Sequence, residues 1–137
     1  MTSRWSASVL ACFVLSGCAA NPHVLETGKS QVQLRSFQTR AFDTTDKDTT
    51  LRTTIATLQD LGFVVEKADA TLGTVTATKL KKYALRMTVT VRPRGTEQLL
   101  VRASAQFNNK AVEEPKLYQD FFTALAKSMF LTAHSVD

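Results

Sequence analysis

Tyr83-Ala84-Leu85-Arg86-Met87-Thr88-Val89-Thr90-Val91-Arg92 is the stretch whose reading decides the fold of this chain. Apolar and polar positions alternate: Tyr83, Leu85, Met87, Val89 and Val91 fall on one side of an extended backbone, and Ala84, Arg86, Thr88, Thr90 and Arg92 on the other. Successive side chains of a strand point to opposite faces, so this is a strand with one dry and one wet face, as in an antiparallel sheet covered on one side. Pro93-Arg94-Gly95-Thr96 interrupts the alternation as a hairpin connection. Leu99, Val101, Ala103, Ala105 and Phe107 then resume it against Arg102, Ser104 and Gln106, which predicts an antiparallel pair.

Working outward, residues 63–67 and 74–79 are β-rich pieces separated by a turn in which Asp69 and Gly73 are the shaping residues. Residues 34–42 mix aromatic, β-branched and arginine residues and are read as a first strand, with Phe37, Thr39 and Ala41 on one face. Between them, Asp43, Asp46 and Asp48 cluster ahead of Leu51, Ile55 and Leu58 at helical spacing. A helix over 48–61 is expected, capped by Asp46 or Asp48 and ended by Gly62, with Phe63 folding back on Leu58. Residues 108–114 form a polar connection. Pro115 suits the first turn of a second helix, whose stripe of Leu117, Phe121, Leu125 and Met129 is widened by Tyr118, Phe122, Ala124 and Phe130.

The expected class is α+β: a mostly antiparallel sheet of about four strands, in β-α-β-β-β-α order, with two helices on one face. Phe63, Leu85, Met87, Val89, Val101 and Phe107 would meet Leu51, Ile55, Leu58, Leu117, Phe121 and Leu125 in the core.

At the other end of the chain, Met1 to Arg4 is a short basic start, followed by about eleven mostly apolar residues, too few for the roughly 20 that span a bilayer as a helix. Leu15-Ser16-Gly17-Cys18 closes that run and resembles the lipobox of bacterial lipoproteins. The resemblance implies that a signal peptidase recognises Leu15, Ser16 and Gly17, that residues 1–17 are removed, and that Cys18 becomes an N-terminus carrying a covalent diacylglyceride. Ala19, standing where the enterobacterial sorting pattern would place an Asp to hold the protein back, implies delivery to the outer membrane, facing the periplasm. Residues 18–33 read as the lipidated start of a polar tether, reaching at most about 50 Å extended and about 20 Å as a coil. Residues 34–137 then form a single periplasmic domain. Its layout is similar to small helix-on-sheet domains of periplasmic lipoproteins, including those of outer-membrane assembly machines; an architectural likeness carries no function by itself.

The chain has 137 residues, so removing 17 leaves 120, enough for one modest domain. The formal net charge of +5 falls to +4 when Arg4 is lost, a mildly basic balance. An exported protein rarely meets nucleic acid, so anionic lipid, glycan or protein is the expected partner. Cys12 lies in the discarded segment, which leaves Cys18 without an intramolecular partner, and the fold rests on packing without a disulfide.

Three sets of residues could carry chemistry. For catalysis the inventory is poor: His23 and His134 are far apart, and no nucleophile elbow, phosphate-cradling glycine loop or zinc-binding His pair occurs. Asp43, Asp46 and Asp48 lack the glycine and distal glutamate of a calcium loop and read as helix-capping residues. No enzyme, metal or cofactor other than the lipid on Cys18 is expected. The second set is the basic run of Lys79, Lys81, Lys82, Arg86, Arg92, Arg94 and Arg102, with no acid between Ala70 and Thr96. Arg86, Arg92 and Arg102 share the wet face with threonines, either as an ordinary solvated surface or as a docking face for an acidic partner, lipid headgroups or a phosphorylated glycan. The third is the apolar surplus of Tyr118, Phe122, Phe130 and Leu131 on the second helix, read as core rather than as a partner-binding patch. Together these predict a non-catalytic interaction or assembly module of an envelope complex, with a lipid- or glycan-binding lipoprotein as the alternative.

Overall fold

A computed structural model describes residues 30–80 and 84–133. The elements run α1 (Gln31–Gln38), β1 (Thr39–Phe42), α2 (Lys47–Asp60), β2 (Val64–Asp69), β3 (Thr74–Leu80), β4 (Ala84–Arg94), β5 (Gln98–Phe107), β6 (Lys110–Ala111) and α3 (Pro115–Ala133). The class is α+β, with three helices and an open antiparallel sheet of six strands rather than two helices and about four strands. The order across the sheet is β1-β5-β4-β3-β2, and β6 pairs with the far end of β5 beyond β1.

From Ala84 onward the alternating stretch forms the centre of the sheet, and Tyr83 lies outside the described residues. Met87, Val89 and Val91 of β4 are buried, as are Leu99, Val101, Ala103 and Ala105 of β5 and Val75 and Ala77 of β3. Their register places Val75 opposite Val89 and Val89 opposite Ala103, so the apolar residues form continuous rows on one face. The strand does not stop at Pro93, which pairs with Leu99 inside β4. Proline is tolerated there because β3 ends opposite Thr90, leaving one flank of Pro93 without a neighbouring strand.

α2 starts where the acidic cluster predicts. Asp46 is its N-cap: Oδ1 accepts the Thr49 amide at 2.9 Å and Oδ2 accepts the Thr49 hydroxyl at 2.7 Å. Those two donated hydrogen bonds, the amide foremost, hold the Asp46 carboxyl below its ordinary value of 3.8. The helix ends in a Schellman motif, with the Phe63 amide donating to the Leu58 carbonyl and the Gly62 amide to that of Gln59, both at 2.9 Å. Gly62 has φ of 85°, as a C′ residue needs.

The buried side of α2 is not mainly the leucine and isoleucine stripe. Thr50, Thr53, Thr54 and Thr57 are buried beside Leu51 and Leu58, while Ile55 is half-buried. Each threonine hydroxyl donates to the carbonyl four residues earlier at 2.8 Å, which removes the cost of burying it. Small, satisfied side chains on this side suit a helix that packs on both the sheet and α3.

Three expectations change at the edges. Residues 34–38 are helix, not strand: α1 begins inside the segment read as tether, because Ser30 caps the Gln33 amide at 3.3 Å and Leu34 and Gln38 share one buried side four residues apart. Only residues 39–42 form the first strand. Phe107 lies at the rim, 39% exposed, and not in the core. Residues 108–114 are also more ordered than a polar connection, since Asn108 and Asn109, both at positive φ, make a two-residue turn between β5 and β6.

All three helices cover the same face. Tyr118, Phe121, Phe122 and Leu125 of α3 join one cluster with the inward residues of the sheet and α2, so the apolar surplus of the second predicted helix is core at Tyr118 and Phe122. Phe130 departs from that reading, with 60% of its surface exposed. The Tyr118 hydroxyl ties the layers together: it accepts from Gln38 Nε2 at 3.2 Å and from the Ala105 amide at 3.1 Å, and donates to the Val112 carbonyl at 2.6 Å.

Candidate functional site

Covering one face leaves the other open. Directly opposed residues of an antiparallel pair share a face, so the register Thr76↔Thr88↔Ser104 and Thr74↔Thr90↔Arg102 lays rows of hydroxyl and guanidinium groups across β3, β4 and β5. Arg92, opposite Leu100, extends the same face toward the β4–β5 hairpin. The centre is concave: Thr88, Thr90, Arg92, Leu100, Arg102 and Ser104 line a depression of about 480 Å³.

The basic run is not one patch. Arg86 lies at the opposite end of this face, where its Nε is 3.7 Å from Glu66 Oε2 on β2, and Glu66 Oε1 accepts the Thr78 hydroxyl at 2.7 Å. The acid that the run lacks in sequence is thus returned by the neighbouring strand. Arg94 shares a separate depression with Asp43 and Glu97. Lys79 is on the helix side altogether: its Nζ donates to the Leu61 carbonyl at the end of α2, at 2.7 Å, and stands 5.6 Å above the Phe63 ring. That position follows from strand parity, because Lys79 alternates with the outward Thr78 and continues the inward row of Val75 and Ala77. Lys79 therefore leaves the candidate face and acts as a cation at a helix C-terminus.

Arg92 and Arg102 remain. Both are exposed, and among the described residues neither guanidinium has an acidic partner. Arg40, which the basic run does not include, lies on the edge strand β1 with its guanidinium 5.0 Å from the Phe122 ring centre, and so serves packing.

Other surfaces offer less. A groove of about 310 Å³ between α2 and the β2–β3 hairpin has Leu51, Ile55 and Val75 in its wall and Asp48, Arg52 and Asp69 at its rim, with both charge signs present. Among the described residues, no group of three His, Cys, Asp or Glu side chains is arranged to hold a metal ion, and no helix is long and apolar enough to cross a membrane. Leu15, Ser16, Gly17, Cys18, His23, Lys81, Lys82 and His134 lie outside the described residues.

Compared with known proteins, the chain matches no family model, and no curated protein matches it. Its function rests on its own residues.

Proposed function

We propose that this chain is a lipid-anchored, non-catalytic binding module of the bacterial cell envelope, held in the outer membrane through Cys18 and facing the periplasm. Residues 1–17 direct export and are removed, the covalent lipid fixes the new N-terminus in the bilayer, and the α+β domain presents its open sheet face to an anionic component of an envelope complex. Anchoring replaces a search through the whole compartment by a high local concentration at the membrane. The observation that carries this reading is the Leu15-Ser16-Gly17-Cys18 motif at the end of a short apolar run. The arginine- and hydroxyl-bearing face of the sheet supports it, since among the described residues Arg92 and Arg102 have no acidic partner and no helix covers them.

A protein partner is tested by photo-crosslinking in living cells from positions 88 and 104 on the open face, with position 119 on α3 as reference. A specific protein adduct from the open face that disappears with Arg92→Ser supports an assembly role; equal adducts from all three positions contradict it. A second reading, in which the same face holds a lipid or glycan, is favoured by one feature: the face is concave, and its volume of about 480 Å³ is that of a small-ligand site.

A further inference from the structure

We infer that the central depression of the open face binds a terminal phosphate monoester, carried by a lipid of the membrane to which the chain is anchored, through Arg92 and Arg102 together. This rests on the second reading above and on the lipid anchor, and it narrows the seven cations of the basic run to two.

The selection comes from what the other cations do. Arg86 faces Glu66 at 3.7 Å, Arg94 shares its depression with Asp43 and Glu97, Lys79 serves the end of α2, and Lys81 and Lys82 lie outside the described residues. The depression around Arg92 and Arg102 has no carboxylate in its lining, which Thr88, Thr90, Ser104 and Leu100 complete, and among the described residues neither arginine faces an acid; the depression beside Arg86 also lacks a lining carboxylate, but there Glu66 faces the arginine itself. Arg102 is opposite Thr90, and Arg92 follows Thr90 by two residues on the same face, so the two arginines are diagonal neighbours on adjacent strands. Such positions are about 7 to 8 Å apart, close enough for two long side chains to converge on one group held between them.

The chemistry of that group follows from the donors. Two guanidinium forks and the hydroxyls of Thr88 and Ser104 call for a compact anion with at least three acceptor oxygens, while the Thr90 hydroxyl donates to the Arg102 carbonyl at 3.5 Å. A carboxylate has two, which one fork alone occupies. A phosphodiester also has only two non-bridging oxygens. A phosphate monoester has three and carries the larger charge near neutral pH. A sugar ring is a poorer fit, because no aromatic side chain lines the depression to stack against it. The lipid source follows from reach: a tether of about 12 residues before Ser30 extends at most roughly 40 Å, which keeps the face within range of the headgroups around the anchor.

The test uses the full chain in non-ionic detergent micelles, followed by amide NMR during titration with dihexanoyl phosphatidic acid. Dihexanoyl phosphatidylcholine and inorganic phosphate serve as parallel arms. Saturable shifts are expected at Thr90, Arg92, Arg102 and Ser104 with phosphatidic acid, and much weaker ones with phosphatidylcholine. Arg92→Ser combined with Arg102→Ser should weaken the apparent affinity about tenfold or more, whereas Arg86→Ser leaves it unchanged. The lysine pair Arg92→Lys with Arg102→Lys, which keeps charge and fold but loses the forks, should fall between. Phosphatidic acid shifts that survive the double serine substitution, or that never saturate, overturn the site. Inorganic phosphate binding as tightly as phosphatidic acid overturns the lipid source. Retention of the wild-type chain in membranes is scored separately, so failure of the anchor and failure of the phosphate site are distinguishable.

Discussion

Replacing Tyr118 by phenylalanine removes one oxygen atom and, with it, the junction of α1, β5, α3 and the connection that leads into α3. The ring stays packed 5.5 Å from that of Phe37, and no volume beyond the hydroxyl is lost, so the change isolates hydrogen bonding from packing. Three partners are released. The Ala105 amide belongs to a residue only 3% exposed and has no route to water; Gln38, 8% exposed, can turn its amide only partly outward. The Val112 carbonyl, on a half-buried residue, can recruit solvent. An orphaned buried polar group costs about 1 to 3 kcal/mol, so the first two partners bring the loss to about 2 to 4 kcal/mol, a large share of the 5 to 15 typical of a domain. Urea unfolding of the full chain should show the midpoint falling by about 1 to 2 M with an unchanged slope. Hydrogen exchange of residues 31–38 should quicken, because Gln38 is the polar link from α1 to α3. Adding Gln38→Leu to the Tyr118→Phe variant should cost less than it does in the wild type, since the two share one interaction. A stability loss below about 0.5 kcal/mol, smaller than a single orphaned group, would refute the claim that this hydroxyl holds the layers together.

Other outcomes follow from turns and caps. Gly73→Ala should destabilise by about 2 kcal/mol or more, read from thermal unfolding. Gly73 has φ of 68°, and a Cβ there would sit 2.4 Å from the Val91 carbonyl oxygen, whose backbone is fixed by its 2.7 Å bond from the Val91 amide to Gly73; a wild-type melting temperature would refute this. Asp46 adds stability that is complete above its unfolded-state pKa and is lost as pH falls through the lower folded-state value, because the folded carboxyl sits below 3.8. The melting-temperature advantage of the wild type over Asp46→Asn should therefore shrink below about pH 4, and parallel curves down to acid pH would contradict the role of the charged cap.

The central hairpin was legible because alternation over ten residues specifies both extended structure and the buried face, and Met87, Val89, Val101 and Ala103 lie where that pattern puts them. The limits of α2 were legible because Asp46 and Gly62 carry local chemistry that needs no tertiary partner. α1 was missed although Ser30 and Gln33 stand at capping-box spacing, since aromatic and β-branched residues at 37–42 outweighed a cap placed inside an apparent linker. The buried threonines of α2 were hidden for another reason: a hydroxyl satisfied by its own helix behaves as an apolar surface, which a hydrophobicity pattern does not register. At the candidate site, Arg92 and Arg102 were legible from strand parity. The pairing of Arg86 with Glu66 was not, because it depends on β2 lying beside β3 with a bulge between Val65 and Lys67. Sequence proximity groups Lys79 with the basic run, whereas parity along β3 places it on the helix side.

The central claim is that the domain works from a lipid anchor at Cys18, and its most direct test is the N-terminus of the mature chain. The protein should be extracted from the membrane fraction of a bacterial host and its N-terminal peptide analysed by mass spectrometry, beside Cys18→Ala. The expected wild-type peptide begins at Cys18 and carries a thioether-linked diacylglycerol, and the variant yields none. A membrane-bound chain that keeps residues 1–17, or one that begins at Cys18 with a free thiol, would contradict it.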